Sequence, residues 1–109
     1  MGIKRIWHGW TSPENADPYQ ELLHREIFPG IEAKEINGYR SVELFRRDLQ
    51  DEVEFVTIMT FDSLQDVKKL QGKDYEKSYV PDAARKLLSR WDKVAVHYQS
   101  VEKREVLRI

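Results

Sequence analysis

Along this chain the apolar positions alternate between two rhythms, the two-residue repeat of a strand and the 3.6-residue repeat of a helix. Ile3, Ile6, Trp7 and Trp10 place a first strand over Ile3 to Trp10, and Gly9 followed by Thr11-Ser12-Pro13 breaks it. Two helix-start signals come next, Ser12-Pro13-Glu14 and Asp17-Pro18, since proline tolerates a first helical position whose N–H would be unpaired anyway. Asp17 and Gln20 also have capping-box spacing. Tyr19, Leu22, Leu23 and Ile27 then share one helical stripe. Pro29-Gly30 is expected to kink or end this helix, with Ile31 to Glu35 continuing it for a turn.

After Asn37-Gly38, strands are predicted over Tyr39 to Arg47 and Val53 to Phe61, joined by a tight turn at Asp48 to Asp51. Asp62, spaced as a cap to Gln65, restarts a helix whose buried stripe is Leu64, Val67 and Leu70, and Gly72 stops it. Lys73 to Pro81 is the least regular stretch. A helical period returns from Asp82 to Trp91 through Ala84, Leu87, Leu88 and Trp91, and Val94 to Tyr98 reads as a last strand. The order β-α-β-β-α-β predicts one α+β domain of the split-βαβ, ferredoxin-like kind, with a four-stranded antiparallel sheet and helices on one face. Residues 3–98 form the core, and the charged tail over 99–109, ending in Val106, Leu107 and Ile109, could add an edge strand.

The strands carry a further implication. Val53, Phe55, Thr57, Met59 and Phe61 share one face, while Val56 and Ile58 lie on the other; Tyr39 and Phe45 are expected to oppose Val42 and Leu44. Both faces are apolar, yet the helices cover one. Large exposed apolar patches are rare on monomers, so a second copy is expected to pack sheet to sheet as a homodimer.

Composition narrows the function classes. Among 109 residues, 18 Lys and Arg balance 19 Asp and Glu for a net charge of −1, which removes the electrostatic case for nucleic acid or an anionic membrane. Cysteine is absent, so thiolate chemistry, disulfides and Cys-ligated metal are excluded. Without a signal-like or membrane-length apolar run, a cytoplasmic protein is expected. Aromatic residues make up 11 %, enough for a pocket that takes a flat ligand as well as for the core.

Three histidines carry the near-neutral titration chemistry. His24 falls on the polar side of the first helix. His8, mid-strand near Trp7 and Trp10, and His97, on the last strand, are candidate bases for a weakly acidic substrate, or else histidines satisfied by a backbone carbonyl or water. Two separated histidines do not make a zinc site. Arg5, Arg40 and Arg46 are strand residues able to hold an oxyanion or to pair with a carboxylate at a rim. Tyr75 and Tyr79 would share a face if their stretch were helical. No Gly-rich phosphate loop, Gly-x-Ser-x-Gly elbow or His-Glu-x-x-His pair is present.

Ile6-Trp7-His8-Gly9-Trp10-Thr11 with Pro13-Glu14-Asn15-Ala16 resembles the opening of small antibiotic-biosynthesis-monooxygenase-type proteins. Gly38-Tyr39-Arg40, Val53-Glu54-Phe55, Phe61-Asp62-Ser63-Leu64, Gly72-Lys73-Asp74-Tyr75 and His97-Tyr98 extend the resemblance over residues 3–98. It implies a dimeric α/β barrel whose protomers each hold a cavity between sheet and helices. It also implies oxidation of a small phenolic or enolic metabolite by O2 with no metal, flavin or other cofactor. The alternative is a non-catalytic ligand-binding or stress-related dimer. Residue chemistry, rather than the matched segments, then suggests His8 as base with His97 as second candidate. Arg40 or Arg5 would be the anion partner, and Trp10, Tyr75 and Tyr79 the walls.

A haem-degrading branch of the same superfamily uses a first-strand Asn, a Trp at the end of the third strand and a haem-ligating His on the next helix. This chain has no Asn between Ile3 and Trp10, has Phe61 in place of that Trp, and lacks histidine from Ser63 to Trp91. Haem degradation is disfavoured on that resemblance.

Overall fold

Ten short elements make up the computed structural model, which describes residues 2–108. Strand β1 (Ile3–Thr11) leads into α1 (Pro13–Leu22), a π-helical turn (Leu23–Ile27) and α2 (Phe28–Glu32). Strands β2 (Tyr39–Asp48) and β3 (Val53–Phe61) form a hairpin closed by Leu49 N–H on the Glu52 carbonyl at 2.8 Å. Then come α3 (Leu64–Gln71), one turn of helix as α4 (Asp82–Arg85), β4 (Leu88–Trp91) and β5 (Val96–Gln99). No helix among the described residues is long and apolar enough to cross a membrane.

Local chemistry chooses between the competing start signals. Ser12 caps α1 by accepting from the Asn15 N–H, and Pro13 takes the first helical position. Asp17 and Gln20 therefore cap nothing; both accept from Arg46 Nη1, at 2.7 and 3.0 Å. Before Pro29 the helix widens: the Phe28 N–H reaches back five residues to the Leu23 carbonyl. That register accommodates a proline unable to donate to an i−4 carbonyl. Ser63, rather than Asp62, caps α3, accepting from the Asp66 N–H and donating to Asp66 Oδ2 at 2.9 Å. Ser63→Ala is expected to cost about 1 kcal/mol, read as a lower urea midpoint. Asp62→Asn, which touches only an exposed ion pair with Arg40, should shift that midpoint less.

The sheet runs β2-β3-β1, antiparallel throughout, with a fourth lane divided between β4 and β5. β4 pairs the end of β1 (Gly9 with Trp91) and β5 its start (Arg5 with His97). Two expectations are corrected here. Leu88 to Trp91 is strand rather than helix, because the unpaired edge of β1 offers a ladder that one turn of isolated helix cannot match. The last strand begins at Val96 rather than Val94, because residues 92–95 turn aside to bond Lys77 and its neighbours: Ser78 N–H to Lys93 O at 3.1 Å, Ala95 N–H to Glu76 O at 2.7 Å. The tail from Ser100 to Arg108 forms no strand, and Ile109 lies outside the described residues.

Arg5, Trp7, Gly9 and Thr11 of β1 and Val53, Phe55, Thr57, Met59 and Phe61 of β3 are buried beneath the helices. Tyr19 and Leu23 pack into that layer, Tyr19 edge-on to Phe55 at 5.0 Å. Tyr39 is paired with Phe61, and a bulge between Tyr39 and Ser41 then shifts the parity of β2. Tyr39 thus shares the helix side with Val42 and Leu44 rather than opposing them, while Phe45 faces outward as expected. The outer face carries Ile6, Val56, Ile58, Phe45, Val96 and Tyr98, the last three 46, 47 and 56 % exposed.

Candidate functional site

Arginine in the middle of a strand is an unusual core residue, since a guanidinium taken out of water must find partners for its fork of N–H groups. Arg5 is 3 % exposed on the helix side of β1. Its Nη1 donates to the Tyr75 carbonyl at 2.5 Å and to His97 Nε2 at 2.9 Å, and its Nη2 donates to the Lys77 carbonyl at 2.9 Å. Among the described residues, no carboxylate pairs with it. Burial alone lowers its pKa to about 10, so it stays cationic at neutral pH.

Arg5 lies at the floor of a narrow cavity between sheet and helices, of about 40 Å³. Trp7, Thr57 and Met59 line it from the sheet, Tyr19, Leu23 and Ile31 from the helices, and Tyr79, Val80 and Pro81 from the irregular segment. The volume suits a few waters, well under the roughly 300 Å³ at which small-molecule pockets begin. Trp7 ties the same segment down: its Nε1 donates to Ser78 Oγ and to the Asp92 carbonyl, each at 3.0 Å. Gly72, at φ +86°, ends α3, and Tyr75 and Tyr79 follow on non-helical backbone.

His97 meets Arg5 from the β5 side, outside the lining of this cavity. Its ring meets Tyr75 edge-on at 5.2 Å. Its pKa is lowered from the ordinary 6.5, first by burial and then by the Arg5 charge, with Glu76 opposing. The folded state therefore prefers the neutral ring; this stabilising contribution is complete above pH 6.5 and declines as pH falls through the lowered value. Stability should fall on acidification below pH 6.5, and His97→Gln should flatten that limb relative to wild type in urea titrations across pH 4–8. Identical slopes would exclude His97 as the source.

The other candidates lie elsewhere. His8 projects from the opposite side of β1, its Nδ1 2.8 Å from Asp92 Oδ2 and its ring parallel to Trp10 at 6.0 Å. Trp10 carries Arg90 on its face at 3.9 Å. Arg40 is exposed and doubly bonded to Asp62, at 3.0 and 2.6 Å, which raises its pKa through that hydrogen bond and charge. Arg46 is held by Asp48 and Asp17. The structure thus brings His97, Tyr75 and Tyr79 up to Arg5, with Tyr79 lining the cavity and His97 and Tyr75 outside it, and separates them from His8, Trp10 and Arg40. Trp7 and Tyr19, singled out by the sequence only as core aromatics, prove to be walls. Tyr19 has its pKa raised by burial and stays a neutral phenol. Among the described residues, no three metal-ligating side chains converge.

No protein-family model matches this chain, and no curated protein matches it in sequence. Its fold is similar to that of a proposed antibiotic biosynthesis monooxygenase from Bacillus cereus, with a TM-score of 0.68 at 12 % identity over 99 % of both chains. It is also similar to Rv0793 from Mycobacterium tuberculosis, with a TM-score of 0.62 at 16 % identity over 96 % of this chain and 100 % of that one. At such identities the likeness speaks for the fold: an α+β, ferredoxin-like chain with helices on one side of an antiparallel sheet.

Proposed function

We propose that the space between sheet and helices takes a small phenolic or enolic metabolite as its anion, and that the protein oxidises it with O2 without a cofactor. The single observation behind this is Arg5, a buried cation whose acceptors are two carbonyls and an imidazole, all neutral. An oxyanion would supply the missing countercharge, and a neighbouring guanidinium lowers a phenol's pKa so that water suffices as proton acceptor. The electron-rich anion then reduces O2. One oxygen atom replaces the hydrogen on a ring carbon as a quinone oxygen, and the other leaves as water with the two hydrogens lost from carbon and hydroxyl. Likeness in fold to a proposed monooxygenase agrees with this reading.

A phenol ring needs more room than the present cavity, so Tyr79, Val80 and Pro81 must shift outward on entry. Oxygen uptake with a panel of electron-rich phenols tests the activity. Uptake by wild type that is lost in Arg5→Met supports it; no uptake across the panel refutes it. A phenol that raises the melting temperature yet is recovered unchanged would establish binding without turnover.

The assembly belongs to the same proposal. The outward Phe45, Val96 and Tyr98 with Ile6, Val56 and Ile58 form an apolar face that a second copy would shelter. Sedimentation as a 13.0 kDa species at micromolar concentration would contradict the homodimer.

A further inference from the structure

Strand β2 is an edge of the sheet: it pairs with β3 on one side and, among the described residues, with no strand on the other. A ten-residue row of backbone N–H and C=O groups is thus open to a further strand. At the end of the chain, residues 100–108 form no strand. Val101, Val106 and Leu107 there are the three most exposed large apolar side chains among the described residues. The two segments match. Laid antiparallel with Leu107 opposite Leu44, the tail sets Val106 against Phe45, Glu105 against Arg46, Lys103 against Asp48 and Arg108 against Glu43. Arg104 opposite Arg47 is the one pair of like sign, and Glu54 already holds Arg47 at 2.7 Å. A slip of one residue in one direction brings Leu107 onto Glu43 and Lys103 onto Arg47. In the other direction it brings Val106 onto Arg46 and Arg108 onto Leu44.

The tail cannot reach this edge within its own chain. Gln99 pairs with Ile3, Ile3 with Phe61 and Phe61 with Tyr39, so the tail leaves the sheet at the end where β2 starts. Asp48 closes β2 at the opposite end, about 30 Å along the strand. The stretch from Gln99 to Lys103 spans at most about 14 Å. We propose that the tail over 101–108 adds itself as a strand to the β2 edge of a second copy, whose own tail returns the contact. This rests on the homodimer proposed above and names the backbone pairing that fixes it. Val106 then extends the outward apolar face at Phe45 and Val56.

The chain has no cysteine, so introduced single cysteines report the pairing directly. Phe45→Cys mixed with Val106→Cys and oxidised should give a disulfide-linked pair of chains joined at those two positions, identified by peptide mass mapping. Arg40→Cys, out of register, mixed with Val106→Cys should give none. Sedimentation provides the second measurement. Removing residues 101–109 should weaken the dimer by at least about tenfold, and Glu43→Arg by about tenfold, while Glu43→Arg combined with Arg108→Glu should return it near wild type. No cross-link in the first mixture, or a truncated chain that dimerises as tightly as wild type, overturns the exchange and leaves a face-to-face dimer standing. Failure of Arg108→Glu to rescue Glu43→Arg overturns the register. A wild type that is monomeric at micromolar concentration removes dimer and exchange together, without touching the oxidation proposed above.

Discussion

Arg5→Met is expected to reduce 4-nitrophenolate affinity by at least about 100-fold and to lower folding stability by about 2–4 kcal/mol. The two effects have separate origins. Affinity falls because the guanidinium is the cation at the cavity floor. Stability falls because the Tyr75 and Lys77 carbonyls and His97 Nε2 lose their donor together. Relief of the buried charge works the other way, since an apolar residue of similar length pays no desolvation cost. Glu76 and Lys77 are exposed, so water can replace part of what the Lys77 carbonyl loses, which keeps the loss moderate. Urea unfolding and a spectroscopic titration of the nitrophenolate measure the two losses independently. A variant as stable as wild type would mean the carbonyls rehydrate freely; unchanged binding would remove Arg5 from the site. Arg5→Lys should restore neither fully, because one ammonium cannot span the Tyr75 carbonyl, the Lys77 carbonyl and His97 in the plane of a fork.

The second large effect lies at Gly38. Its φ is +88°, and a β-carbon there would stand 2.1 Å from Asp66 Oδ2, inside any tolerable contact. Asp66 cannot swing away cheaply, because its carboxylate takes the Ser63 hydroxyl and Lys69 at the start of α3. Gly38→Ala should therefore cost about 2–4 kcal/mol, part backbone strain and part the displaced carboxylate. Gly72→Ala serves as the comparison: φ is +86°, but an added β-carbon meets nothing within 4 Å, so it carries the strain alone. Gly38→Ala made in an Asp66→Ala background should cost less, and an unchanged cost there, measured by urea unfolding, would show that Asp66 moves without penalty.

The β2–β3 hairpin was legible because apolar and aromatic strand formers flank a four-residue turn, densest over Val53 to Phe61. The Ser12 and Gly72 boundaries were legible because caps act within one turn of chain. The helix assignment at Leu88 failed because Ala84, Leu87, Leu88 and Trp91 satisfy a helical period for only a few residues. Against so short a signal, the unpaired backbone of β1 prevails. Arg5, His97, Tyr75 and Tyr79 were legible as candidates from residue type. Whether they met was not: Tyr75 and Tyr79 come together with Arg5 through irregular backbone that has no period to read.

Taken alone, the residues determined the kind and order of most elements, β4 excepted, because propensity, capping and apolar spacing are settled within a few neighbours. Which side of the sheet each side chain serves was decided by the tertiary structure, because parity follows from register, and one bulge reverses it. That is why His8, three residues from Arg5, faces out toward Asp92, while His97, ninety-odd residues away in sequence, lies against the Arg5 guanidinium.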